Sequence, residues 1–550
     1  MEKKKKFELW TVLSIVLFVL FLLILVYPMF GILKQSVLDK DGGLTFANFT
    51  KFFSKHMYTK TIVNSFKVTI VVTLCSLIIG IPLSYFYSFY KLRGSKVIFV
   101  VSILCCMSAP FIGAYSWIML CGRNGIVTNF LKIFGIKLGS IYGFKGIALV
   151  QTLKFFPLVF IYMNGAFRNI DSTLMEASAN MGCTGVKRFF KIVMNLSMPT
   201  ALAASLMVFM QAFADFGTPM LIGEGFRTFP VEIYSQYLGE NGRDYGFAAA
   251  ISVIAILVTA VVFGIQKFAT SRFNFSMNAL HPIEKKEAKG IGGVLMHLYA
   301  YLLIFIGFAP NLYVCYLSFR DSSGAVFKDG YSFNNYVLAG KKLLGRSIKN
   351  TLTLGVGSLA IIIVVAVIVA YLVVRRPRPL NHAIDTMAML PYIMPGAVVG
   401  IALIMAFGSK PLALTGTMTI MIINLVIRRM PYTIRSATAC LMQISPSIEE
   451  AAISLGASKL KTFIKITVPM MSSGIISGAI LSWVAIITEL SGSIILYNNK
   501  TITLTMSTYV AINRGNYGLA CAFAAILTVV TVISLLVYIK VSKSEENVRL

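Results

Sequence analysis

Two acids stand in stretches otherwise made for lipid. Asp215 lies in "MQAFADFGTPMLIG" and Glu489 in "VAIITELSGSIILY", 274 residues further on. A charge at the centre of a membrane helix costs about 2.5–3.5 kcal/mol even on insertion scales, so each one asks for a reason. Two kinds of chemistry fit. A pair of carboxylates facing each other across a pathway lowers the barrier for a cation. Alternatively, the same groups cap the N–H donors of a broken helix, since glycine and small residues follow both. Lys154, in "LVQTLKFFPLVF", is single and reads as a snorkelling side chain. Arg428 and Arg429, in the matching region of the second half, read as anchors at a cytoplasmic helix end. Asp385 reads as a first-turn acid on a helix dipole. The four histidines (His56, His281, His297, His382) are scattered, and the eight cysteines form no C-x-x-C. Neither a disulfide framework nor a zinc site is expected. No resident metal is expected either; Asp215 and Glu489 would at most touch a passing ion.

The elements that must position these acids are membrane helices. Hydrophobic residues make up 57% of the 550 and charged residues 13%, where a soluble chain averages about 25% charged. Apolar runs near 9–33, 64–89, 97–121, 143–166, 197–221, 247–267, 294–317, 349–374, 386–407, 411–429, 471–490 and 518–540 predict about twelve spans. The first run follows Lys3–Lys6 but is too long for a signal peptide and lacks an A-x-A-like site, so it is read as a retained helix. A formal net charge of +29 goes with positive loops, because no basic cluster outside the spans is interleaved with stacking aromatics. Nucleic acid is not an expected partner. With both termini inside, the inside segments carry more Lys and Arg than the outside loops, as the positive-inside rule asks.

The chain also repeats itself. "YPMFGILKQSVLD" (27–39) resembles "APNLYVCYLSFRD" (309–321), "NSFKVTIVVT" (64–73) resembles "NTLTLGVGSL" (350–359), and "YGFAAAISVI" (245–254) resembles "YGLACAFAAI" (517–526). Six spans per copy give both copies one orientation, a parallel repeat about an axis along the membrane normal. The expected organisation is an all-α membrane protein: a first permease-like half at 1–270, a cytoplasmic linker at 271–293, and a second half at 294–550.

One water-facing stretch is duplicated as well. "MEASANMGCTGVKRFFKIVMNLSMP" holds Glu176, Gly182 and Ile192; "EEAAISLGASKLKTFIKITVP" holds Glu450, Gly456 and Ile466, again 274 residues on. Ile448, Ala452 and Leu455 share one helical face. The glycine then permits a turn few other residues make cheaply. Lys459, Lys461 and Lys465 keep the second helix wet. Each copy predicts helix, glycine turn, helix, against the cytoplasmic membrane surface.

That stretch resembles the E-A-A-x3-G-x9-I-x-L-P loop of permease subunits of binding-protein-dependent ABC importers, with Val468 in place of Leu. The resemblance implies a type I importer fold with both pore-forming halves fused. It implies that the two loops are coupling helices, Glu176 and Glu450 contacting ATPase subunits, Ala177, Ala451 and Ala452 packing close, and Gly182 and Gly456 forming the turns. The first copy departs from the pattern at Ser178 and at Met194–Asn195. No G-x-x-x-x-G-K-[ST] occurs in the chain, so the resemblance implies that ATP and Mg are held by two separate cytoplasmic ATPase subunits. It also implies an extracytoplasmic substrate-binding protein, no cofactor on this chain, and a place in the bacterial plasma membrane.

Within that family, "ADFGTPMLIG", "TELSGSIILY" and "APFIGAYSWIMLCGRNG" resemble fused permeases of the ferric iron importer subfamily. Residues Glu489 to Ser493 depart from that group's usual E-L-P-A-T. Ferric iron is a hard cation suited to carboxylate oxygens, and an acid pair at Asp215 and Glu489 agrees with it. Phosphonate, sulfate, thiamine and polyamine are alternative substrates for the same machinery; a phosphonate carrier is expected to show convergent Arg or helix N-termini at mid-depth. A secondary transporter using Asp215 or Glu489 as a proton or cation carrier is the alternative class. It has no need of two matching docking stretches. A membrane enzyme would want clustered catalytic side chains, which the sequence does not offer.

Overall fold

Backbone removed from water must bond to itself, so the apolar runs fold as helices. The computed structural model of the chain describes residues 9–39, 42–107, 110–137, 139–168, 170–238, 244–272, 283–410, 412–442 and 444–546. Lys3–Lys6, His281 and much of the expected linker at 271–293 lie outside those residues. In chain order the helices that matter begin with α1 (Leu9–Ser36), α2 (His56–Phe89), α3 (Ser95–Met107), α4 (Pro110–Cys121) and α5 (Phe144–Arg168). Next come α6 (Ser172–Asn180), α7 (Gly185–Phe213), α8 (Tyr245–Arg272) and α9 (Gly290–Leu317). The second half holds α10 (Leu344–Arg375), α11 (Pro379–Ile393), α12 (Gly396–Phe407) and α13 (Met418–Met442). It ends with α14 (Ser447–Ser454), α15 (Lys459–Met470), α16 (Ser472–Ile487) and α17 (Tyr517–Glu546).

Among the described residues eight helices are long and apolar enough to cross a membrane, and ten if each of two bent pairs counts once. The pair α11–α12 bends by 111° and the pair α15–α16 by 67°. The expected span at 97–121 is instead two shorter helices, α3 and α4, the second opening on Pro110, where proline is tolerated. The expected span at 411–429 is displaced: α13 runs from Met418 to Met442, which puts Arg428 and Arg429 at its middle.

Contacts divide the chain into two compact units. One takes residues 50–240 and 254–317; the other takes 1–49, 241–253 and 318–550. In the first unit α2, α5 and α7 pack on one another around Val68, Val72, Val159, Met163 and Val208, with α9 lying on α3 and α4. In the other, α10, α13 and α16 make the same arrangement, and α1 lies on α11 and α12. Each opening helix therefore packs against helices of the opposite repeat, so the packing units do not follow the sequence halves. A two-residue parallel bridge, Tyr90–Lys91 (β1) with Lys286–Glu287 (β2), ties the chain before α9 to the end of α2.

The repeat is visible in single bonds. Near the start of α2, the Asn64 amide donates to the Arg227 carbonyl at 3.0 Å, and Ser65 Oγ accepts from the Phe229 N–H at 2.9 Å. In α10, Asn350 donates to the Ile502 carbonyl at 2.8 Å, and Thr351 accepts from the Leu504 N–H at 3.0 Å. The "NS" and "NT" of the sequence match thus tie down equivalent loops by equivalent bonds.

Candidate functional site

Asp215 follows the end of α7 and is 8% exposed; Glu489 follows the end of α16 and is 3% exposed. Each meets a base carried by the middle of a neighbouring helix of its own unit. From α5, Lys154 Nζ donates to Asp215 Oδ1 at 3.2 Å, and Gln151 Nε2 donates to Oδ2 at 3.0 Å. From α13, both Arg428 and Arg429 form ion pairs with Glu489. Lys154 and Arg428 are 274 residues apart, as the two acids are. The snorkelling expected of Lys154 and the helix-end anchoring expected of Arg428 and Arg429 are corrected accordingly: Arg428 is buried, Lys154 and Arg429 are mostly buried, and all three pair with acids. The reason is desolvation, since a lone buried charge costs several kcal/mol unless an opposite charge and further hydrogen bonds satisfy it.

Glu489 also does what a cap does. The N–H of Gly492 donates to its Oε1 at 3.0 Å, satisfying a donor where the chain leaves α16. A Cβ on Gly492 would stand 2.6 Å from Asn424 Oδ1, so a larger residue there requires Asn424 to shift. The two sites differ in charge. Lys154 and Asp215 cancel, whereas Arg428, Arg429 and Glu489 leave one positive charge in excess.

The duplicated polar stretches form two exposed elbows with the same backbone. In the first, Gly182 adopts φ +75°, its N–H donates to the Ala179 carbonyl at 2.9 Å, and Cys183 N–H donates to Ser178 at 2.8 Å. In the second, Gly456 adopts φ +90°, with Gly456 N–H to Ile453 at 2.9 Å and Ala457 N–H to Ala452 at 3.1 Å. Both are glycine-closed helix ends of the Schellman kind. Five residues of π-helix follow at matching places, Phe189–Val193 and Phe463–Thr467. Glu176, Ala177, Glu450 and Ala451 are exposed, while Ala452 is buried. Leu455 does not share the fate of Ala452: it is 90% exposed, and its counterpart Met181 is 86% exposed. Large apolar side chains at the tip of each turn are what a docking surface presents.

Sequence reasoning missed how the elbows are anchored. Glu449, beside the motif's Glu450, is buried; its Oε1 accepts from Arg375 Nε at 2.8 Å and its Oε2 from the Tyr371 hydroxyl at 3.3 Å. Arg375 Nη2 also donates to the Ile444 carbonyl at 2.7 Å. The repeat replaces the ion pair with apolar packing, for Met175 and Phe89 occupy the equivalent positions in the first half, while Tyr85 keeps the tyrosine of Tyr371. The signal was available in the alignment, which sets Glu449 opposite Met175 and Arg375 opposite Phe89.

Residues 76–274 and 362–545 match the family described as binding-protein-dependent transport system inner membrane component. The chain belongs to that family, in two copies, and is a multi-pass permease of the ABC transporter class. The ferric transport system permease protein FbpB of Actinobacillus pleuropneumoniae is 28% identical over 541 residues, 96% of this chain and 77% of that protein. A putative 2-aminoethylphosphonate transport system permease protein PhnU of Salmonella typhi is 23% identical over 45% of this chain and 86% of its own length. A crystal structure of a bacterial ABC transporter involved in alginate import matches 48% of this chain and 96% of its own, with TM-score 0.41 and 18% identity.

Proposed function

We propose that this chain is the permease of an ATP-driven importer of ferric iron. The observation that carries the reading is similarity to a ferric transport permease along 96% of the chain, through both repeats. The exposed elbows support the ATP-driven part, because two surface turns of matching backbone suit two docking partners. In this reading two ATPase subunits holding ATP and Mg dock on the elbows at the cytoplasmic face, where both termini also lie. Glu176 and Glu450 touch them, Ala177 and Ala451 allow close approach, Ala452 packs beneath, and Gly182 and Gly456 set the turn. An extracytoplasmic binding protein delivers the iron. Asp215 and Glu489 belong to the pathway as ion-paired groups: they hold Lys154, Arg428 and Arg429 in place and set the charge the cargo meets.

Uptake of labelled ferric iron by cells lacking this chain, with and without the chain restored, tests the assignment. Loss on deletion and recovery on restoration is the expected result. Normal iron uptake in the deletion strain, with uptake of a phosphonate or polyamine lost instead, would reassign the cargo.

A further inference from the structure

The surplus charge beside Glu489 has no counterpart in the other repeat. The position matching Arg429 is Phe155, so the first-half site stays neutral while the second carries two guanidiniums against one carboxylate. The next acid on the packed helices is Asp385 of α11, and it is taken by Arg435 at 3.2 Å. Tyr392 and Tyr432, which flank Arg429, are not carboxylates. The positive excess is therefore not cancelled by a neighbour on α11, α13 or α16.

Unused donors converge on the same place. Asn424 stands one turn before Arg428 on α13, is fully buried, and neither its Oδ1 nor its Nδ2 has a partner. The Nε atoms of Arg428 and Arg429 are buried and lack acceptors as well. The first turn of α12 faces the cluster: a Cβ on Gly396 would stand 2.6 Å from Arg428 Nη1. A twelve-residue helix thus brings its positive end against the Arg428 guanidinium. Amide, guanidinium N–H groups and a helix N-terminus, with net positive charge in an apolar setting, are the donors an oxyanion takes. A bare trivalent cation would be repelled there.

We propose that Arg428, Arg429 and Asn424, with the first turn of α12, form a binding site for an oxyanion of the phosphate, phosphonate or carboxylate class. Cargo then meets this site as an oxyanion, or as ferric iron whose charge is covered by one. The second alternative rests on the importer reading above; the site itself does not.

Inorganic phosphate is the probe, titrated into the full-length protein in lipid nanodiscs at constant ionic strength, with binding read by calorimetry. Saturable binding is expected in the wild type, weakened at least about tenfold by Arg429→Gln and largely kept by Arg429→Lys. Glu489→Gln, which removes the competing carboxylate, should tighten binding. Arg429→Gln reproduces the neutral charge of the first-half site and is therefore expected to fold; should it not, Arg429→Lys and Glu489→Gln carry the test through their opposite expectations. No saturable phosphate binding in the wild type, or equal binding in Arg429→Gln, overturns the site. In vesicles holding the assembled transporter, phosphate crossing without iron identifies the oxyanion as cargo. Iron crossing only when an oxyanion is supplied identifies it as a companion. Intact ATPase stimulation alongside absent phosphate binding would overturn this site and leave the importer reading standing.

Discussion

Arg375 and Glu449 hold one elbow by charge where Phe89 and Met175 hold the other by packing. Both side chains of the ion pair are nearly buried, at 10% and 12% exposed, so removing one partner strands the other in an apolar setting. Glu449→Ala should lower stability by about 3 kcal/mol, within the range measured for broken buried pairs. The double change Arg375→Phe with Glu449→Met copies the first half and should recover most of that loss. Denaturation of the purified variants checks both; a double variant no better than the single would remove the equivalence drawn between the anchors. Gly456 is a milder case. Its φ of +90° is strained for any side chain, though open space surrounds it, so Gly456→Ala should cost about 1–2 kcal/mol from backbone strain alone. An unchanged midpoint in thermal unfolding would contradict the left-handed turn.

At the scale of elements, the close approach of α2 and α5 depends on Gly80. A Cβ there would stand 2.7 Å from Val159 Cβ and 2.9 Å from the Phe156 carbonyl. The matching residue in the second half is Ala366, which is fully buried, so the second helix pair accommodates a Cβ at this position. Gly80→Ala should destabilise by about 1–3 kcal/mol through overpacking, while Ala366→Gly should change stability less, and unfolding midpoints of the two variants decide. Most of the spans, the repeat and the elbows were legible in the sequence because hydropathy, spacing and a left-handed glycine are local properties; the count of twelve spans was not reached, with eight to ten among the described residues. Lys154, Arg428 and Arg429 were misread because their meaning depends on Asp215 and Glu489, about sixty residues away. The placement of α13 failed for a related reason: two guanidiniums look like the end of an apolar run until an acid is found to bury them. The packing of α1 on α11 and α12, and of α9 on α3 and α4, lies beyond any local pattern.

For the molecule as a whole, the doubled elbow is the surface feature on which the proposed ATPase docking rests. Its exposed tips, Met181 and Leu455, lie directly before turns set by Gly182 and Gly456. Glu176 and Glu450 are exposed on the helices leading into those turns, so replacing them should leave the bundle intact while testing the proposed docking. The most direct measurement is ATP hydrolysis and copurification of the ATPase subunits with the Glu176→Ala, Glu450→Ala chain. The account predicts weakened association and loss of hydrolysis stimulated by the loaded binding protein, in a chain that unfolds like the wild type; association and stimulated hydrolysis at wild-type levels would contradict it.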